Sequence, residues 1–220
     1  MTTEVNGPAV AAPIGLAPGA PEEAAGQDAK KYASTNPVVS RLLDRWTGRL
    51  RATIGDIGPD DVVVDVGVGE GLCLERFLPN GHEALGIEYR HDKALVAKTR
   101  IGGLAPVVAD AGMVPVASAS ADLVTCIEVL EHLITDDPAV AELARICRGR
   151  CVVSVPWEPW FRLGNLGRGK NISRFGNDPE HVQFFTPSRL RSLLEQSFAE
   201  VRVVKAFPWL IAEATHPRRP

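Results

Sequence analysis

Val62-Val63-Val64-Asp65-Val66-Gly67-Val68-Gly69-Glu70-Gly71-Leu72-Cys73-Leu74 is the stretch on which the reading of this chain turns. An apolar run suited to burial on both faces of a sheet passes into a bend with glycine at every second position, and a helical pattern follows. Glycine serves such a bend in two ways. It accepts positive φ, and without a Cβ it lets a ligand lie against bare backbone at a helix N-terminus. A nucleotide-like guest is the natural inference.

Spacing narrows the choice of guest. A dinucleotide fingerprint needs Gly-x-Gly-x-x-Gly, and Leu72 stands where its third glycine belongs. Asp65 before the bend and Glu70 within it would repel a pyrophosphate and suit a cationic ligand, so a sulfonium fits better than a phosphate. Further along, Gly86-Ile87-Glu88 ends the next apolar run. A carboxylate at that edge accepts hydrogen bonds from both hydroxyls of a ribose, which makes Glu88 the ribose ligand. Asp110, in Val108-Ala109-Asp110-Ala111, is placed to accept from an adenine amino group. A turn-capping aspartate is its plain alternative.

Outward from the bend, the 220 residues suit one domain with a tail. Residues 1–30 are rich in Ala, Pro and Gly and lack an apolar period, so they are expected to be disordered. The domain is expected over 31–214, with a short basic tail at 215–220. Val39, Leu42, Leu43, Trp46, Leu50 and Ile54 recur at helical spacing, and Gly55 ends that helix. Strands are expected at Val62–Val66, Ala84–Ile87, Ala105–Val108, Leu123–Ile127 and Cys151–Val155. Helices between them, at Leu72–Phe77, His91–Thr99 and Pro138–Cys147, require a parallel sheet with crossovers. Pro187 opens one more helix. Val201–Val204 and Trp209–Ala212 are too close together for a crossover and should pair antiparallel.

Composition excludes several classes. A net charge of −3 supplies no global field for duplex nucleic acid. No run of 18 apolar residues occurs, which argues against a membrane span, and the N-terminus does not read as a secretory signal. Cys73, Cys126, Cys147 and Cys151 read as reduced, mostly buried thiols, so the chain is expected in the cytoplasm.

The motifs together resemble the class I S-adenosylmethionine-dependent methyltransferases. The resemblance rests on Asp65 to Gly71, Glu88, Asp110-Ala111, the run Asp122 to Glu128 and Glu128-Val129-Leu130-Glu131-His132-Leu133, and it covers roughly Asp60 to Ala212. It implies a Rossmann-like doubly wound α/β fold of seven strands, mostly parallel with an antiparallel last strand. It also implies S-adenosylmethionine as cofactor, held by Asp65, Gly67, Gly69, Gly71, Glu88, Asp110, Ala111 and Glu128. A small-molecule methyl acceptor, with O-methylation as the reaction, is the expected use.

On the acceptor side, Glu128, Glu131 and His132 stand at i, i+3 and i+4, and would share one face if the chain turned helical there. His181 and then His132 are the candidate bases for an acceptor hydroxyl. The plain reading has no metal: Glu128 contacts the cofactor, and Glu131 and His132 begin a helix. The sharper reading adds His181 to the three, two carboxylates and two imidazoles that would hold a divalent ion. That set looks like the arrangement in small-RNA 3′-terminal 2′-O-methyltransferases, which keeps an RNA-terminal enzyme with a divalent metal as an alternative; a noncatalytic partner subunit is another. Residues 157–185 form an insertion longer than an ordinary connection, expected to act as a lid over the acceptor. Arg162, Arg168, Lys170 and Arg174 lie there with Trp157, Trp160 and Phe161.

Overall fold

The computed structural model describes residues 36–160, 162 and 181–218. The expected disordered tail, the centre of the 157–185 insertion and the last two residues of the basic tail lie outside the described residues. In chain order the elements are α1 (Pro37–Ile54), β1 (Val63–Val66), α2 (Leu74–Phe77), β2 (Ala84–Glu88), α3 (His91–Arg100), β3 (Leu104–Val108) and β4 (Ala121–Ile127). A single 3-10 turn (Leu130–His132) leads to α4 (Asp137–Ile146), β5 (Cys147–Pro156), α5 (Pro187–Glu195), β6 (Phe198–Ala206) and β7 (Trp209–Pro217).

The seven strands make one sheet in the order β3-β2-β1-β4-β5-β7-β6. β7 runs antiparallel to both β5 and β6, as the short β6–β7 connection requires, and the other pairings are parallel. Successive valines of β1 serve opposite faces. Val64 and Val66 pack in the layer that holds Leu143 of α4 and Leu190 of α5, whereas Val63 packs in the layer of α1, α2 and α3. That is why the β1 sequence is apolar almost throughout: both of its faces are covered.

Side-chain caps set where two helices begin. Asn36 Oδ1 accepts from Val38 N–H at 2.9 Å ahead of Pro37, and Thr186 Oγ1 accepts from Arg189 N–H at 3.2 Å ahead of Pro187. Helix α1 is fastened to the sheet through Trp46. Its indole is buried, Nε1 donates to Ser154 Oγ on β5 at 2.9 Å, and its ring stacks on Trp209 of β7 at 5.2 Å. Truncating such a tryptophan typically costs about 3–5 kcal/mol.

Because β2 and β4 lie on opposite sides of β1, the chain leaves the sheet in two directions at the carboxyl end of β1 and β4, and a crevice opens between them. The loops after those strands therefore meet the same space. No helix among the described residues is long and apolar enough to cross a membrane.

Candidate functional site

The glycine bend leaves β1 with Gly67 at φ +83°, Gly69 at +56° and Gly71 at +80°, the left-handed region in which side chains are strained. Two amides of the bend, Gly67 N–H and Val68 N–H, donate to the carbonyl of Ile87 on β2. A third, Gly69 N–H, donates to Glu88 Oε2 at 2.9 Å, while Arg90 N–H donates to Glu88 Oε1 at the same distance. The buried Glu88 carboxylate thus tethers the bend to the end of β2. A Cβ on Gly67 would stand 2.2 Å from Val129 Cγ2, so the segment after β4 presses directly against the bend.

Asp65 lies beneath the bend in β1, buried, and accepts from Thr125 Oγ1 of β4 at 2.6 Å. Burial pushes its carboxyl up to about 7, opposed by the Thr125 hydrogen bond and reinforced by the negative charge of Glu88. Asp110, after β3, accepts from Gly112 N–H at 2.8 Å through Oδ1 and so caps a turn, with Ala111 half-buried beside it.

The face expected for Glu128, Glu131 and His132 does not form. Glu128 has φ +59°, outside the helical region, and only Leu130–His132 makes a 3-10 turn. Glu128 is directed elsewhere: its Oε2 accepts from Trp209 Nε1 at 2.9 Å. The reason is positional, since Glu128 N–H still continues the sheet by donating to Ser154 O, and the chain turns only after it.

Glu131 and His132 do meet His181. The carboxylate and the two imidazoles each offer a ligand atom within 4.8 Å of the others, and the His132 and His181 rings stand 5.0 Å apart at 73°. The carbonyl of Glu131 accepts from Val182 N–H and Gln183 N–H, which lays the end of the insertion alongside the 3-10 turn. Farther along, Trp157 bridges to Phe185, and Trp157, Trp160 and Phe207 form an aromatic group with Lys205 Nζ 5.2 Å from the centre of the Trp157 ring.

Residues 64–153 match the model of the family described as Methyltransferase domain. Demethylmenaquinone methyltransferase of Beutenbergia cavernae is 31% identical over 144 residues, which is 61% of this chain and 59% of that protein. The enzyme of the same name from Thermobifida fusca is 26% identical over 177 residues, 73% of this chain and 74% of that protein. The chain therefore spans only about three-fifths of the first relative's length. Among solved structures, the magnesium protoporphyrin IX methyltransferase of Synechocystis, determined with bound S-adenosylhomocysteine, superposes with a TM-score of 0.60 at 17% identity, covering 84% of this chain and 89% of that one. Over residues 64–153 the chain is therefore similar to the methyltransferase-domain family, and its sheet has the fold of these methyltransferases.

In a class I methyltransferase the nucleotide end of the cofactor needs bare backbone and an acidic group nearby, and this crevice offers both. The bend carries its glycines at positive φ, and Glu88 stands at its edge. Three residues that sequence reasoning passed over shape the same place. Val129 closes on Gly67, Thr125 holds Asp65, and Trp209 reaches Glu128 from the last strand. None of the contacts made by Val129, Thr125 and Trp209 joins neighbours in the chain, so none leaves a periodic trace. Glu158, just past β5 at the start of the insertion, is buried, burial raises its pKa, and its Oε1 has no hydrogen-bond partner among the described residues.

Proposed function

We propose that this chain transfers a methyl group from S-adenosylmethionine to an oxygen of a small-molecule acceptor. The observation that carries the reading is the tether between Glu88 and Gly69, which puts an acidic group against a side-chain-free bend at the crevice mouth. In this reading Gly67, Gly69 and Gly71 shape the bend, Glu88 accepts from the ribose, Asp110 and Ala111 border the adenine, and Asp65 and Glu128 support the bend from below and from the side. The bound cofactor supplies an electrophilic methyl on a positively charged sulfur. What remains for the protein is to hold the acceptor in line and keep water out.

A hydroxyl acceptor also needs to lose its proton. His181 and His132 supply two imidazoles at the carboxyl edge of the sheet, and either ring can take that proton while Glu131 stands by. The aromatic group of Trp157, Trp160 and Phe207 rises at the same edge and suits a flat, unsaturated acceptor. The relatives' name, demethylmenaquinone methyltransferase, supports a small-molecule substrate of that kind. All four cysteines are free, which suits a reducing compartment such as the cytoplasm.

Calorimetry with S-adenosylhomocysteine, followed by methyl-labelled cofactor against a panel of phenols, hydroquinones and naphthols, tests the reading. Binding of one molecule per chain and label in an ether product support it. No binding, or loss of neither binding nor labelling on Gly67→Arg, ends it. Label on carbon with none on oxygen overturns the O-methylation part alone.

A further inference from the structure

We propose that Glu131, His132 and His181 form a binding site for one divalent cation of the zinc, manganese, iron(II) and cobalt class, at the carboxyl edge of the sheet beside the crevice. The three side chains come from two separate places in the chain, the 3-10 turn after β4 and the end of the insertion, yet their ligand atoms all lie within 4.8 Å of one another. His132 Nε2 is 4.0 Å from Glu131 Oε1. Bonds of about 2.1 Å to one ion would space ligand atoms roughly 3–4 Å apart, so closure asks for side-chain shifts on the order of 1 Å and no backbone change.

Burial and scaffold favour an ion. The Glu131 side chain is 1% exposed and His181 is 6% exposed, while the His132 side chain, at 26%, remains open on one side. A carboxylate so deeply enclosed is characteristically matched by a cation or a metal. The two segments of the site are locked together before any ion arrives. Val182 and Gln183 donate to the Glu131 carbonyl, Gln183 Nε2 donates to Ile134 O at 2.8 Å, and Arg189 ties Gln183 to Asp136. Preorganisation of this kind lowers the cost of gathering ligands.

The donor set chooses the class of ion. Two imidazole nitrogens and one carboxylate suit borderline first-row cations, whereas calcium and magnesium prefer oxygen alone. The set differs from the one inferred from sequence: Glu128 is not among the gathered groups and instead accepts from Trp209. Three protein ligands leave coordination positions for water or for an oxygen of the methyl acceptor. With the ion bound, an acceptor hydroxyl coordinated to it would give up its proton to water in place of the His132 or His181 imidazole. That last role rests on the proposed function, whereas the presence of the ion does not.

The test uses the whole untagged chain, stripped with chelator and desalted, then titrated with zinc, manganese and cobalt ions by calorimetry, with cobalt absorption and manganese spin resonance as readouts. One ion per chain is expected. His132→Gln should weaken binding at least about tenfold and alter the cobalt bands. His82→Gln, whose ring bonds Asp61 O away from the site, should change neither. Thermal midpoints matching the parent show that the variants are folded. If His181→Gln loses its fold, His132→Gln alone decides. Failure of all three ions to bind, or binding that survives His132→Gln unaltered, overturns the proposal. Binding of S-adenosylhomocysteine to the stripped chain is expected in either case, so the two readings fail separately.

Discussion

Trp209 Nε1 donates to Glu128 Oε2 at 2.9 Å, joining the first residue of the last strand to the first residue beyond β4. The same indole stacks on Trp46 of α1, so one ring links the helix that covers the sheet to the crevice where the cofactor is proposed to bind. Trp209→Phe keeps a ring in the stack and removes the donor. A hydrogen bond to a charged acceptor contributes about 1.5–3 kcal/mol, and the variant should lose stability in that range, read from denaturant midpoints at unchanged m-value.

Gly67→Ala should be among the most damaging single-methyl changes in the chain. The added Cβ would stand 2.2 Å from Val129 Cγ2, and the residue would have to keep φ at +83°. Strain and overpacking of this kind together cost about 2–5 kcal/mol. Adding Val129→Ala should return the overpacking part and leave the backbone part, so the double variant is expected to be more stable than Gly67→Ala alone. Equal stability of the two would show that the contact has no weight.

Glu88→Gln should weaken cofactor binding. The carboxylate accepts from two backbone amides, Gly69 N–H and Arg90 N–H, and an amide side chain has only one oxygen to offer them. One amide would then face an NH2 group. A loss of about tenfold or more in affinity for S-adenosylhomocysteine is expected, measured by calorimetry, with a smaller fall in thermal midpoint.

Asp65 gives the fold a pH dependence with a definite sign. Its carboxyl is raised from 3.8 to about 7, chiefly by burial. Since the folded value lies above the unfolded one, the associated stability is complete below about pH 4 and is lost as pH rises to 7. Asp65→Asn cannot ionise and its side-chain oxygen can still accept from Thr125. The variant should therefore gain on the parent as pH rises, by an amount on the order of 4 kcal/mol between pH 4 and pH 7.5. Denaturant midpoints of both proteins across that range check it, and a constant gap would refute the buried-carboxyl account.

Local patterns carried most of the fold. The valine run of β1, the helical spacing from Val39 to Ile54, and Pro187 at the first turn of its helix state their conformations through periodicity and backbone preference, which act between near neighbours. The antiparallel ending followed from too short a connection between β6 and β7. Residue identity marked Glu88 and the glycines, because a bend at positive φ and an acidic strand end need those residue types.

Glu128 shows where that kind of information stops. Its spacing from Glu131 and His132 promised a shared helical face, but positive φ at a glutamate has no sequence signature, and the chain turned elsewhere. The closing of Val129 on Gly67, the reach of Trp209 to Glu128, and the gathering of His181 with Glu131 and His132 all join residues distant in the chain. Such contacts depend on strand order and register, which emerge when two covered faces of a sheet are packed at once. The amino-acid order by itself determined which segments become strands, bends and helices; only their assembly decided which side chains would face one another across the crevice.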